Sequence, residues 1–266
     1  MTLTTLQLSD GRTVVLQDKG VGPVLVLLHG VGMCAQAWAP QIADLAQDYR
    51  VIALNLPGHG GSDRLADGAR LPEFVAWAAG TITALGLGPV NVAGHSMGAL
   101  IAIGLAVGYP ELVRRLAALN AVHQRSAAAR AAVEARAAAI AQGKGDVCQP
   151  LSRWFEDDPA QHALRKQVMD WLGAMDQRSY AAAYRAFAEG DDIYSGQWAK
   201  ITCPALVLTG DGDQNSTAEM TRIMAASAPQ GRAVVIAGHR HMVNLTAPAQ
   251  VNAALRDWLE RQEVTT

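Results

Sequence analysis

Short apolar runs alternate with longer stretches of helical periodicity along most of the chain. Runs of Val, Leu and Ile that end at glycine or proline are typical of buried strands. The stretches between them carry apolar residues three and four positions apart, which is the spacing of a helix with one buried face. We predict strands within residues 24–30, 50–56, 90–93, 116–122, 204–210 and 232–238.

Helical patterns fill most of the intervals between these strands. Strands that alternate with helices form crossover units, and such units build a parallel sheet. The fold class we expect is therefore α/β, a mostly parallel twisted sheet with helices on both faces. Before the first buried strand, the Asp10-Gly11 pair predicts a hairpin, because this dipeptide favours tight turns. Helices are expected at residues 38–47, after Pro72, from Met97 to about Gly108, and from an N-cap at Thr246.

Residues 123–200 interrupt the alternation of strand and helix. This segment is rich in alanine, charged residues and aromatic residues, and none of its runs is typical of a strand. We interpret it as a helical cap inserted into an α/β core formed by residues 1–122 and 201–266. An insertion at this point would cover the carboxyl ends of the strands, where open α/β sheets bind ligands.

The composition limits the kinds of molecule that we expect the protein to bind. The chain has 266 residues, half of them hydrophobic, and a net charge of −2. This charge disfavours nucleic acid and anionic membranes as partners, and no apolar run reaches the ~18 residues of a membrane span. We expect a cytoplasmic protein that acts on a small molecule, of unknown oligomeric state. Cys34, Cys148 and Cys203 are too far apart for a disulfide framework or a paired metal motif.

The segment VNVAGHSMGALIAI, residues 90–103, places a serine between a predicted strand and a predicted helix. Gly94, Ser96 and Gly98 form the pattern Gly-x-Ser-x-Gly, which in this context favours a nucleophile elbow. The turn is so sharp that side chains at the glycine positions would collide with neighbouring strands. It also lifts the hydroxyl to a helix N-terminus, where negative charge is stabilised.

A serine hydroxyl needs a base, and the base needs a group that orients it. After an elbow serine, the acid and then the histidine follow in chain order. Asp211 and Asp213 end one late strand, and His239 and His241 follow another. No third clustered ligand accompanies this His-x-His pair, so we do not expect a metal site.

Six ordered motifs, LLHGVGM, LNLPGHGGSD, VAGHSMGA, YPELV, PALVLTGDGD and AGHRHMVNLTAP, resemble those of the α/β-hydrolase superfamily over nearly the whole chain. Within the superfamily the chain is similar to small esterases, enol-lactonases and C–C-bond hydrolases with a helical cap. The resemblance implies Ser96 as the nucleophile. It also implies Asp213 as the acid, the last residue of a Gly-x-x-Asp run, with Asp211 as the alternative.

The resemblance further implies the histidine and the oxyanion hole. The family's histidine commonly stands about seven residues before a proline, which favours His241 over His239 because of Pro248. The oxyanion hole would use the backbone N–H groups of Val31 and Met97.

Three other positions have expected roles that follow from the same resemblance. Asn120 occupies the place where some members carry the acid, and an amide cannot supply the charge, which again favours Asp213. His29 and His59 lie in glycine-rich loops. We expect them to hold these loops by hydrogen bonds.

The predicted function is that of a serine hydrolase that cleaves a small carboxylic ester or lactone through an acyl-enzyme, with no metal, nucleotide or flavin cofactor. The alternatives are a C–C bond hydrolase acting on a dienoate or β-diketone, an acyltransferase, and a non-catalytic ligand-binding homologue. Arg125, Trp154 and Tyr184 are candidate substrate-binding residues. The arginine could pair with a substrate carboxylate, or could simply be solvated. The aromatic residues could equally belong to the core.

Overall fold

The central sheet is mostly parallel. A computed structural model describes residues 3–146 and 149–261, and eight strands of this part of the chain form one sheet in the order β1-β2-β4-β3-β5-β6-β7-β8. The pairs β1–β2 and β2–β4 are antiparallel, and every other neighbouring pair is parallel. The strands are β1 Thr4–Gln7, β2 Thr13–Lys19, β3 Val24–Leu28, β4 Arg50–Leu54, β5 Val90–His95, β6 Val113–Leu119, β7 Ala205–Gly210 and β8 Gly231–Ile236.

The predicted fold class is confirmed, and so is the N-terminal hairpin. Gly11 has a φ of +84°, which a glycine adopts without strain, and its N–H donates to Leu8 O at 3.0 Å. Within β3, successive side chains point to opposite faces of the sheet, as the pleat requires. Leu25 and Leu27 join a core on one face, whereas Val26 and Leu28 join a core on the other.

Helices cover both faces. Trp38 and Trp258 belong to the core beneath the first and last long helices, and Trp77 belongs to the core on the opposite face. The helices are α1 Ala39–Leu45, α2 Leu71–Ala84, α3 Met97–Gly108, α4 Ala127–Ala141, α5 Leu151–Trp154, α6 His162–Gly173, α7 Gln177–Ala188, α8 Ala218–Ser227, α9 Val243–Thr246 and α10 Pro248–Glu260.

The structure differs from the sequence prediction at the starts of two helices, α10 and α8. The predicted N-cap at Thr246 is wrong, because this residue ends α9 and its hydroxyl donates to Met242 O, while the N-cap of α10 is Ala247. The helix α8 was not predicted from the sequence. Its start has a recognisable signal, since the hydroxyl of Thr217 caps it by accepting from the N–H of Met220.

The segment between β6 and β7 is helical in its described residues. It contains α4 to α7 and two turns of 3-10 helix, at Pro159–Gln161 and Ser195–Lys200. Its side chains reach the loops that follow the parallel strands, since Tyr180 lies against Gly32 and Ser179 lies against Gly58. The division into a core and a separate cap stays a prediction. No helix of the described chain is long and apolar enough to cross a bilayer.

Candidate active site

Ser96 occupies a strained turn between β5 and α3. Its backbone has φ +54° and ψ −115°, and its N–H donates to Leu119 O at 2.9 Å. A Cβ built on Gly94 would lie 2.0 Å from Gly98 O, and one built on Gly98 would lie 2.1 Å from Leu28 O. Both positions therefore require glycine, as the sequence pattern predicts. The side chain of Ser96 lies at the N-terminus of α3, where the helix dipole favours an anion.

Asp213 and His241 form a buried pair beside this turn. Nδ1 of His241 donates to Oδ2 of Asp213 at 2.7 Å. The other candidate histidine is engaged elsewhere, because Nδ1 of His239 lies 3.0 Å from the hydroxyl of Thr246. The remaining candidate acid is used in a turn, where Asp211 Oδ1 accepts from the N–H of Gly238 at 2.8 Å.

Both oxygens of the Asp213 carboxylate accept hydrogen bonds. Its Oδ1 accepts from the N–H groups of Asn215 at 2.8 Å and Ser216 at 3.1 Å, and its Oδ2 accepts from Nδ2 of Asn120 at 2.8 Å. Burial alone would raise the pKa of Asp213. The positive charge of His241 and these hydrogen bonds outweigh burial, so that the pKa of Asp213 is lowered.

Asn120 contacts the candidate acid, Asp213, and this contact was not predicted from the sequence. It has a φ of +50°, and its N–H donates to Leu208 O at 2.7 Å. A signal for it exists in the sequence. Asn120 directly follows β6, so it reaches the same edge of the sheet as the residues that follow β5 and β7.

His241 is anchored next to the serine by the histidine that precedes Ser96. Nε2 of His95 donates to His241 O at 2.8 Å, and the two rings lie 5.0 Å apart. Burial, with a smaller contribution from the charge of His241, lowers the pKa of His95 to about 3. Among the described residues, Ser96 Oγ and His241 Nε2 are not hydrogen-bonded to each other in this conformation. Such contacts often tighten only when substrate binds.

The loop after β3 lies against the serine. A Cβ on Gly30 would come within 3.2 Å of Ser96 Cβ, so this loop packs directly against the serine. The structure places Val31 in this loop, next to Gly30, and Met97 as the first residue of α3. The first N–H groups of a helix have no partner within the helix and are free to bind an anion.

Two buried histidines hold the glycine-rich loops. Nε2 of His59 accepts from the N–H of Gly32 at 3.0 Å, and Nε2 of His29 accepts from the N–H of Leu56 at 3.0 Å. Each ring donates from Nδ1 to a nearby carbonyl, at 2.9 Å to Pro57 O and 2.7 Å to Gly30 O. Burial lowers the pKa of both rings, that of His59 to about 4.

The three candidate substrate residues are buried. Trp154 stacks on the ring of His241, with the centroids 5.6 Å apart. Tyr184 packs between Tyr180 and Phe187 on α7, at 5.9 Å from each ring. The side chain of Arg125 is only 4% exposed, so the alternative prediction, a solvated arginine, is wrong.

The structure also shows how the possible metal ligands and the cysteines are placed. Within residues 3–146 and 149–261, no group of three or more His, Cys, Asp or Glu side chains is arranged to hold a metal ion. Cys34 and Cys203 are half-buried, whereas Cys148 lies outside the described residues.

Comparison with known proteins defines the class. The model of the alpha/beta hydrolase fold matches residues 23–248, and the chain belongs to this family. It is a hydrolase.

Individual relatives are similar over almost their whole length. The chain is 53% identical to the (E)-2-((N-methylformamido)methylene)succinate hydrolase of Acinetobacter baylyi, covering 96% of this chain and 97% of that one. A solved hydrolase of Pseudomonas aeruginosa is 24% identical, with a TM-score of 0.89 over 98% of this chain and 99% of that chain. A malate-bound esterase of Thermogutta terrifontis is 25% identical, with a TM-score of 0.87 over 97% and 98%.

Proposed function

We propose that this hydrolase works through a Ser96–His241–Asp213 triad. The observation that carries the proposal is the buried hydrogen bond between Asp213 and His241, which is held beside the strained serine turn. Asp213 fixes the imidazole so that Nε2 is the nitrogen left to act as a base. The helical segment between β6 and β7 acts as the cap, and its Trp154 shields the imidazole from water.

The 53% identical relative supports a proposal for the substrate class. The compound in that protein's name carries an N-formyl group and two carboxylates. We propose that this chain hydrolyses the same compound or a close analogue, at the bond between the formyl carbon and nitrogen. A small ester or lactone is the second candidate, favoured by the malate-bound esterase of similar fold, because the same acyl-enzyme chemistry serves both.

The reaction takes place in two halves. Ser96 Oγ attacks the formyl carbon while its proton passes to Nε2 of His241, and the N–H groups of Val31 and Met97 stabilise the oxyanion. The carbon–nitrogen bond then breaks, and His241 returns the proton to the leaving nitrogen. Water, deprotonated by the same histidine, hydrolyses the formyl-serine to formate and restores the hydroxyl.

The test follows formate release from (E)-2-((N-methylformamido)methylene)succinate, with p-nitrophenyl acetate as a parallel ester substrate. Ser96→Ala is expected to lower kcat by at least about 10⁴-fold on whichever compound is turned over. An unchanged rate in the variant would contradict the proposed nucleophile. Cleavage of a carbon–carbon bond, or transfer to an added alcohol in preference to water, would favour the alternative functions.

A further inference from the structure

Two arginines face neighbouring aromatic rings on one side of α7. Cζ of Arg136 lies 5.5 Å from the ring centre of Tyr184, and Cζ of Arg125 lies 4.6 Å from that of Phe187. The two rings are 5.9 Å apart, so the guanidinium groups lie within one small region of the cap. We call Arg125, Arg136 and Tyr184 the cationic pocket.

The cationic pocket is connected through Tyr180 to the loop beside Ser96. Tyr180, whose ring is 5.9 Å from that of Tyr184, packs against Gly32 in the loop beside Ser96. One aromatic ring, that of Tyr180, therefore lies between Tyr184 and this loop.

Arg125 and Arg136 differ in their charged partners. Arg125 pairs with Oδ1 of Asp191 at 3.0 Å, and Arg130 pairs with Asp191 and with Asp192, so that two arginines face two carboxylates. Arg136 donates to the side-chain oxygen of Gln149 and to the backbone oxygen of Asp146, and it is hydrogen-bonded to Tyr184. Within the described residues no carboxylate forms an ion pair with Arg136.

Both arginines of the pocket carry donors without acceptors. Among the described residues, Nη2 of Arg125 and Nε of Arg136 are buried and have no hydrogen-bond partner. The side chain of Arg125 is only 4% exposed. Native proteins rarely leave a buried charged donor unsatisfied, because its lost hydration is costly. A ligand with acceptor oxygens at this place would satisfy both donors.

We propose that the cationic pocket is the subsite that binds a carboxylate group of the substrate, with Arg125 and Arg136 donating to the carboxylate oxygens. The proposal rests on the proposed function, because it assumes that the acyl group enters between Ser96 and the cap. Asp191 holds Arg125 in place, so that its free Nη2 is presented in a fixed direction. Arginine suits this role because its planar group donates two parallel hydrogen bonds to a carboxylate.

The test compares two esters that differ only at the end of the acyl chain, monomethyl succinate with a carboxylate and methyl butyrate with a methyl group there. Acid release is followed by pH-stat. Arg136→Gln is expected to lower kcat/KM for monomethyl succinate by about 10- to 100-fold, the range for a lost hydrogen bond to a charged group. Its kcat/KM for methyl butyrate should stay within about twofold of the wild-type value. The matched control is Arg185→Gln, which removes an exposed arginine from α7 and should leave both values unchanged.

Arg125 needs a paired substitution, because removing it alone would leave the buried Asp191 without its partner. The double variant Arg125→Gln with Asp191→Asn removes both charges and should show the same selective loss on monomethyl succinate. Equal losses on the two esters in the Arg136 variant, or no loss on either, would overturn the subsite.

Calorimetric titration with succinate separates this proposal from the proposed function. If the wild-type protein hydrolyses neither ester nor the formamide, the proposed function fails, but succinate binding still reports on the pocket. Wild-type protein should then bind succinate at least about tenfold more tightly than Arg136→Gln does. Equal affinities would refute the subsite whatever the outcome of the kinetic test.

Discussion

Nδ2 of Asn120 donates to Oδ2 of Asp213 at 2.8 Å, and the same oxygen accepts Nδ1 of His241 at 2.7 Å. Asn120 is fixed from both sides, since its N–H donates to Leu208 O and its carbonyl oxygen accepts from the hydroxyl of Ser216 at 2.6 Å. A rigid amide therefore sets the direction in which the carboxylate faces the imidazole. We therefore expect Asn120 to act as a positioning residue for Asp213 in the proposed mechanism.

Asn120→Asp should shift the pH dependence of activity. A second carboxyl group at this distance places like charges together, which raises the pKa of the carboxyl pair. This moves the acid limb of the profile to higher pH, because the proposed mechanism needs an ionised Asp213. The measurement is kcat/KM for p-nitrophenyl acetate between about pH 4 and 9.

The control for this shift is Asn252→Asp, which makes the same change on the half-buried surface of α10. Its profile should coincide with that of the wild type. An unshifted profile in Asn120→Asp, in a protein that retains activity, would contradict the positioning role.

The two histidines of the His-x-His pair should differ sharply when replaced. His241→Gln removes the partner of Asp213, and kcat for p-nitrophenyl acetate should fall by at least about 10⁴-fold. His239→Gln, its matched control two residues away, removes a side-chain contact with Thr246 and should retain most of the wild-type kcat. If His239→Gln lost as much activity as His241→Gln, the assignment of the base to His241 would be wrong.

Local patterns predicted the sheet and the serine turn because each depends on short-range sequence signals. The bounds of α3 agree with the prediction, since the Gly-x-Ser-x-Gly turn fixes where the helix starts. The start of the last helix has a weaker signal in the sequence, and its N-cap was predicted incorrectly. The short α9 before Pro248 displaced the predicted N-cap from Thr246, because a proline can begin a new helix without a side-chain cap.

Long-range contacts were beyond the reach of sequence patterns. The spacing of Pro248 favoured His241, but only the folded chain brings its ring to Asp213, 28 positions earlier. The pairing of Arg125 with Asp191 spans the helices of the insertion. This pairing depends on how α4 and α7 pack, which the periodicity of the sequence does not specify. The sequence alone therefore could not show whether Arg125 is buried or solvated.

Gly98 and Gly80 should respond in opposite ways to alanine. A Cβ at Gly98 would collide with the backbone oxygen of Leu28 at 2.1 Å, so Gly98→Ala must displace α3 from β3. We expect a loss of more than about 3 kcal/mol in the free energy of unfolding, or failure to fold. Gly80→Ala, within α2, meets no atom within 4 Å and should gain about 0.5–1 kcal/mol. Urea unfolding of both variants measures this difference, and a tolerated Gly98→Ala would contradict the close approach of the two elements.

Acid should destabilise the protein through the buried His59. Its ring is neutral in the folded state, where Nε2 accepts from the N–H of Gly32. Burial lowers the folded pKa from 6.5 to about 4, so between these values the unfolded chain binds a proton that the folded chain does not. The free energy of unfolding therefore decreases as the pH falls through this window, by about 1.4 kcal/mol per pH unit for this residue. Above pH 6.5 the contribution is constant.

His59→Gln removes this titration while keeping an oxygen that can accept from Gly32. Urea unfolding at several pH values between about 7.5 and 4.5 should show, below about pH 6.5, a pH dependence shallower than that of the wild type by about 1.4 kcal/mol per pH unit. Above about pH 6.5 the two slopes should coincide. His162→Gln, at an exposed position at the start of α6, is the matched control and should retain the wild-type slope. A slope unchanged in His59→Gln would show that the folded ring takes up its proton over the same pH range as the unfolded chain. It would contradict the lowered pKa of His59, and with it the neutral ring that accepts from Gly32 down to about pH 4.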